Sequence, residues 1–138
     1  MGVILKTLSV CVPIYNEIEN LEDLFVEFNE LNKSLNNTKI EIILIDNHSN
    51  DGTFDLFSKI VKRFNFKTIY VRHSQNYGYQ VSLQTGLEYS TGDFVAVVDG
   101  DLQDPVNLIP LCETPDDLAK SAKNCFSVSS WSISPNLQ

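Results

Sequence analysis

The chain has 138 residues, 43% of them hydrophobic and 20% charged, which suffices for one ordinary globular domain with an apolar core and makes a second domain unexpected. Lys and Arg number 10 against 18 Asp and Glu, a formal net charge of −8 that argues against a nucleic-acid partner, because phosphate binding without metal needs a basic surface. An acidic chain that handles a phosphorylated ligand is instead expected to recruit a divalent cation. The cysteines, Cys11, Cys112 and Cys125, are odd in number and widely spaced, which fits neither a disulfide framework nor a zinc site and suggests a reducing, cytoplasmic setting.

In chain order, "MGVILKTLSVCV" reads as a strand-forming start rather than a signal peptide, since Lys6 interrupts the apolar run and no small-residue cleavage site precedes Pro13. Lys6 also stands where a myristoylation signal needs Ser or Thr, and no run approaches the roughly 20 apolar residues that span a bilayer. "LSVCV" (8–12) is the expected first strand, stopped by Pro13. Asn16, with Glu19 three residues on, reads as the cap of a helix whose Leu21, Leu24, Phe25, Phe28, Leu31 and Leu35 recur at helical spacing. "IEIILI" (40–45) is a nearly continuous apolar run, as in a strand covered on both faces. After the turn "NDGT", Phe54, Phe57, Ile60, Val61 and Phe64 mark a second amphipathic helix. "KTIYV" (67–71) is a third strand, and a shorter helix over 79–89 is expected to exit through a left-handed glycine at Gly92. "FVAVV" (94–98) is a fourth strand. The alternation predicts an α/β fold with a mainly parallel sheet, flanking helices and right-handed crossovers.

Ligands of such sheets bind beyond the carboxyl ends of the strands. Here the first strand is followed by "PIYNE", the second by Asp46, and the fourth by Asp99 and Asp101 within "VDGDLQDP". Carboxylates are hard ligands suited to Mg²⁺ or Mn²⁺, ions that keep positions open for phosphate oxygens, so Asp101 and Gln103 are expected to hold such an ion with Asp99 orienting the ligand or meeting the metal through water. Asp-Gly is also a strong turn former, and the pair read alone is most simply a turn. A calcium loop fits poorly, because Asp104 and Pro110 occupy the positions that need glycine and glutamate.

Taken together, "VPIYNEIENL", "ILIDNHSNDGTFDL" and "NYGYQVSLQTGLEYSTGDFVAVVDGDLQDP" resemble, in order and spacing over about residues 7–105, the N-terminal half of the glycosyltransferase family 2 enzymes. The branch they resemble most is that of the polyprenyl-phosphate sugar transferases related to dolichol-phosphate mannose synthase. The resemblance implies a GT-A, Rossmann-like nucleotide-diphospho-sugar transferase fold. It implies that Pro13, Tyr15, Asn16 and Glu17 line the nucleoside pocket, that Asp46 hydrogen-bonds the base, and that Asn76 and Gly78 form the turn opening the third helix. It further implies that Asp99 and Asp101 meet ribose, diphosphate and metal, with Gln103 also on the metal side. The implied reaction is inverting transfer of a hexose from a nucleotide-diphosphate sugar to a polyprenyl phosphate, with Mg²⁺ or Mn²⁺, at the cytoplasmic face of a membrane.

This chain departs from that pattern in two places. Asn47 and His48 replace the second acid and the glycine that usually follow Asp46; Asn47 keeps hydrogen-bonding capacity without charge, while His48 and His73 read as solvated surface residues and Cys11 as a small buried hydrophobe. Residues 106–138 match nothing in the acceptor half, read as loosely ordered apart from a short helix over 116–123, and point to a truncated or frame-shifted product or a fragment, with no general base to name. The domain expectation is therefore a nucleotide-sugar-binding half over 1–105 and an unmatched segment over 106–138. A bare apolar sheet edge beyond the fourth strand would favour self-association. Two other functions remain open: a nucleotide-sugar-binding remnant without catalysis, and a haloacid-dehalogenase-like phosphohydrolase with Asp99 as nucleophile. A dinucleotide oxidoreductase is disfavoured because no G-x-G-x-x-G follows the first strand.

Overall fold

A computed structural model describes residues 5–35, 37–100 and 125–127. Strands β1 (Lys6–Ile14), β2 (Thr38–Asp46), β3 (Lys67–Arg72), β4 (Phe94–Val97) and β5 (Cys125–Ser127) form one sheet in the order β3-β2-β1-β4-β5. β1 pairs in parallel with β2 on one side (Lys6 opposite Thr38, Ile14 opposite Asp46) and with β4 on the other (Leu8 opposite Phe94, Cys11 opposite Val97). β2 and β3 are also parallel, and β5 runs antiparallel to β4.

The pattern of burial follows from the side-chain periods. Alternate residues of β1 and β2, among them Val10, Val12, Ile42 and Leu44, enter one core with Leu21, Leu24, Phe25 and Phe28 of α1 (Ile18–Ser34) and with Phe57 and Ile60 of α2 (Thr53–Ile60). Phe25 is the hub of an aromatic group, with Phe28, Phe57, Phe64 and Phe66 at centroid distances of 5.5–6.0 Å. The opposite face buries Cys11, Ile43, Ile45 and Val95 in a smaller core against Leu87 of α3 (Tyr79–Tyr89). Among the described residues no helix is long and apolar enough to cross a membrane.

Several local expectations need correction. Pro13 does not stop β1, which runs on to Ile14; the ladder to β4 ends at Cys11 and Val97, so a missing N–H at Pro13 removes no bond from it. Asn16 does not cap α1 but adopts a left-handed conformation (φ 52°), and the helix entry is held instead by Asp51, whose Oδ2 accepts from Ile18 N at 3.2 Å. The other oxygen of Asp51 accepts from Thr53 N at 3.1 Å and from the Thr53 hydroxyl, so one carboxylate secures the starts of both α1 and α2. The second helix tightens into a 3-10 turn over Val61–Arg63 instead of continuing to Phe64. Gly92 is needed not for a left-handed exit but for close approach, since a Cβ there would lie 2.6 Å from Thr7 O. Cys125–Ser127, within the segment read as loosely ordered, pair with Phe94, Val95 and Ala96 of β4, along the edge expected to be bare. The helix expected over 116–123 lies outside the described residues.

Near the start of the strands a carboxylate is fully enclosed. Glu41, 2% exposed, accepts from Ser9 Oγ at 2.6 Å and from Thr91 N at 2.7 Å, with Lys67 Nζ at 3.3 Å. It thereby ties β2 to β1, β3 and the turn before β4. Burial raises the carboxyls of Glu41 and Asp51, but the hydrogen bonds from Ser9 and Thr91 to the first, and from Thr53 and Ile18 to the second, outweigh it and hold both below the usual carboxylate range.

Groups depressed in the fold contribute stability that is complete above the unfolded carboxylate values of about 4 and is lost as pH falls through the folded values. Denaturant midpoints are therefore expected to hold above about pH 5 and to fall on acidification below about pH 4; constancy down to pH 3 would contradict this. Replacing the charge in Glu41→Gln, measured by the same unfolding curves, should cost about 2 kcal/mol at neutral pH. Gly92→Ala should cost at least about 2 kcal/mol, because the atoms it would meet include backbone that cannot move aside.

Candidate functional site

The strand order places β1 between β2 and β4, the arrangement that opens a crevice at the carboxyl edge. A cleft of ≈ 320 Å³ lies there. Pro13, Ile14, Tyr15 and Glu17 line it from the end of β1, Asn47 from the end of β2, and Asp99 and Gly100 from the end of β4. Asn76, Gly78, Tyr79 and Ser82 complete it from the entry to α3. Gly100 packs so closely that a Cβ would fall 2.7 Å from Ile14 Cγ2, which brings the β4 terminus against the β1 loop. Across the cleft, Tyr79 OH donates to Asp99 Oδ1 at 3.2 Å.

Pro13, Tyr15, Glu17, Asn76, Gly78 and Asp99 thus line one cleft. Asn16 and Asp46 do not line the cleft. Asn16 ties the loop after β1 to the loop after β2, its N donating to Ser49 Oγ at 2.8 Å and its Oδ1 accepting from Asn50 N at 2.9 Å. Asp46 is 0% exposed, and both its oxygens are engaged: Oδ1 accepts from Ser49 N at 2.8 Å and Oδ2 from Tyr70 OH at 2.5 Å, with Arg72 Nε at 3.9 Å. Burial, the hydrogen bond to Asp46 and the charge of that carboxylate drive the Tyr70 phenol far above its ordinary range, so it stays a donor. In this geometry Asp46 shapes the 46–49 loop. Asp101 and Gln103 lie outside the described residues.

Sequence reasoning gave Asn47 less weight than its position warrants. Only 7% exposed, it accepts at Oδ1 from Tyr77 N (2.9 Å) and donates at Nδ2 to Asn76 Oδ1 (2.6 Å). His73, read from sequence as a solvated residue, is half-buried with Nδ1 3.2 Å from Asn47 Oδ1 and Nε2 3.0 Å from Thr85 Oγ1. His48 is exposed, in a left-handed conformation (φ 72°), with Nδ1 3.2 Å from the His73 carbonyl. Tyr79 and Ser82, also missed, carry a legible signal, for they sit three and six residues beyond Asn76 and follow it around the first turns of α3. Cys11 is buried on the far side of the β1 backbone from the larger core, and burial pushes its thiol up to about 11 against the hydrogen bond it shares with Ser90, as suits a small buried hydrophobe.

Among the described residues no group of three His, Cys, Asp or Glu side chains could by itself hold a metal ion. The cleft does present hard oxygen donors at Asp99 and Glu17, the donor type that suits Mg²⁺ or Mn²⁺.

Comparison with known proteins bears on the whole arrangement. The undecaprenyl-phosphate 4-deoxy-4-formamido-L-arabinose transferase of Pseudomonas savastanoi pv. phaseolicola is 30% identical over 131 residues, covering 92% of this chain and 39% of that protein. The protein of the same name from Salmonella choleraesuis is 33% identical over 106 residues, 77% of this chain and 32% of the other. This chain therefore spans well under half the length of these relatives. In structure it resembles the mannosyltransferase PcManGT from Pyrobaculum calidifontis in complex with GDP-Man and Mn²⁺ (TM-score 0.65, 21% identity, 80% of this chain and 33% of that one). It also resembles S. aureus TarS 1–349 in complex with UDP (TM-score 0.58, 22% identity, 75% and 32%). These likenesses establish the GT-A fold. Since the model of glycosyl transferase family 2 matches residues 9–114, most of the chain and every strand end that forms the cleft, the chain belongs to that family.

Proposed function

We propose that the chain is the donor-binding part of a metal-dependent, inverting glycosyltransferase that moves a hexose from a nucleotide-diphosphate sugar to a polyprenyl phosphate. The observation that carries this reading is the cleft at the β1/β4 crevice, where the loop after β1 faces Asp99 and Gly100 at a span closed by Tyr79. Its exposed aromatic residues, Tyr15 and Tyr79, offer flat surfaces for a nucleoside, and Asp99 stands where the diphosphate end would lie. Similarity to undecaprenyl-phosphate transferases, and to a neighbour holding GDP-Man and Mn²⁺, supports the substrate classes.

In this reading Asp99 holds a cation together with Asp101 and Gln103, whose sequence pattern supports that role. When bound, Mg²⁺ or Mn²⁺ offsets charge on the departing diphosphate. The chain's own residues do the positioning: the Tyr79 hydroxyl orients the Asp99 carboxylate, Gly100 keeps it close to the β1 loop, and the buried Asp46 keeps the neighbouring loop in shape. A lipid phosphate acceptor would bring the rim of the cleft to the cytoplasmic surface of a membrane, with the chain attached peripherally. Family membership leaves the phosphoaspartate hydrolase without support.

Calorimetry of the chain with uridine and guanosine diphosphate, with and without Mn²⁺, should show binding that depends on the metal and weakens at least about tenfold, or 1.4 kcal/mol, in Asp99→Ala and in Asp101→Ala. If neither diphosphate binds with metal present, the donor site is refuted. Sugar transfer to a polyprenyl phosphate by the same chain separates a transferase from a nucleotide-sugar-binding protein without catalysis.

A further inference from the structure

The hydrogen bonds behind the cleft fix one another's direction. Tyr77 N is a backbone donor, so the Asn47 atom it meets at 2.9 Å is the amide oxygen, and Asn47 Nδ2 must face Asn76. Gly78 N, 3.0 Å from Asn76 Oδ1, fixes the second amide in the same way. Asn76 Oδ1 then accepts from Asn47 and Gly78 together, which leaves its Nδ2 as the amide atom not engaged in these bonds, on a residue that lines the cleft. Because Asn47 Oδ1 carries no hydrogen, its contact with His73 at 3.2 Å requires the proton to be on His73 Nδ1. At the other end Nε2 meets Thr85 Oγ1 at 3.0 Å; that hydroxyl also lies 2.9 Å from Val81 O within α3, so its one proton goes either to the carbonyl or to Nε2, and this contact leaves the Nδ1 proton as the one the ring must carry.

We propose that His73 is a positioning residue for the cleft: it donates from Nδ1 to Asn47, and through Asn47 holds the 76–78 turn so that the Asn76 NH₂ is presented as a donor to an oxygen of the bound ligand. The ligand in this statement rests on the donor-cleft reading, whereas the tautomer and the relay rest on the hydrogen bonds alone. The relay spans the ends of β2 and β3 and the start of α3, and Tyr79, the residue after the turn, reaches Asp99 on the other wall. Gly78, at φ 91°, permits the backbone reversal that the relay stabilises. An oxygen-bearing group is what such an amide recognises, so the complementary part of the ligand is a carbonyl, hydroxyl or phosphoryl oxygen rather than an N–H.

The test has a spectroscopic arm and a binding arm. A long-range ¹H–¹⁵N spectrum of the ligand-free chain, with the His73 signal identified by its loss in His73→Asn, should show a proton on Nδ1; a ring protonated at Nε2 alone overturns the relay whether or not nucleotides bind. In calorimetry with uridine diphosphate and Mn²⁺, His73→Leu should weaken binding about tenfold, while His73→Asn, whose amide supplies a donor near the Nδ1 position, should stay within about threefold of the parent. Asn47→Ala, which can neither accept from His73 and Tyr77 nor donate to Asn76, should weaken binding at least about tenfold and keeps the test open if His73→Leu fails to fold. Equal affinity in parent, His73→Leu and Asn47→Ala, with the Nδ1–H ring present, overturns the positioning role alone. No binding by the parent overturns the donor-cleft reading and with it the ligand part of this proposal.

Discussion

The position of β1, hydrogen-bonded in parallel to β2 on one side and to β4 on the other, is the constraint on which the rest of the molecule depends. Parallel pairing puts the carboxyl ends of all three strands at one rim, and the place of β1 between β2 and β4 opens a crevice there. The two faces of the sheet are then filled separately, α1 and α2 on the side of Val10 and Val12, α3 on the side of Cys11. Because α3 approaches from the second face, its entry turn rises beside the crevice and supplies the wall that neither β1 nor β4 can provide.

Acidic side chains hold this arrangement in place as much as they serve the site. Glu41 gathers the strand starts, Asp51 secures two helix entries, and Asp46 fixes the loop beyond β2; each sits under hydrogen-bond donors that make its charge tolerable inside the fold. Part of the formal charge of −8 is therefore structural. Among the described residues, Lys6, Lys39 and Lys67 stand at strand starts and Lys33 in the last turn of α1, where it complements the helix dipole, while Arg72 at the end of β3 sits beside Asp46.

Much of this is legible in the sequence, and the exceptions have physical causes. The period of two in "LSVCV" and the unbroken run "IEIILI" announce strands because burial on one or both faces leaves no alternative pattern, and the recurrence of Leu21, Leu24, Phe25 and Phe28 announces a helix for the same reason. Helix capping is less legible, because the donors at the start of α1 are satisfied by Asp51, distant in sequence, rather than by Asn16. The glutamate inside "IEIILI" is itself a signal of a buried polar network, yet its partners Ser9, Thr91 and Lys67 come from three separate elements and appear only in the fold. Of the site, the residues following β1 and β4 are readable as strand-end polar clusters. Asn47 and His73 are not, since their importance lies in how their hydrogen bonds are directed, and two β-strands must be in register before either meets the other.

The central claim, that a nucleotide diphosphate binds at the crevice between β1 and β4, is most directly tested by recording amide spectra of the ¹⁵N-labelled chain while titrating uridine diphosphate with Mg²⁺. Shifts should concentrate at Ile14, Tyr15, Asn47, Asn76, Gly78, Ser82, Asp99 and Gly100, the rim residues, and should spare Lys6, Lys39 and Lys67 at the strand starts. Shifts centred on that opposite edge, or none at saturating nucleotide and metal, would contradict it.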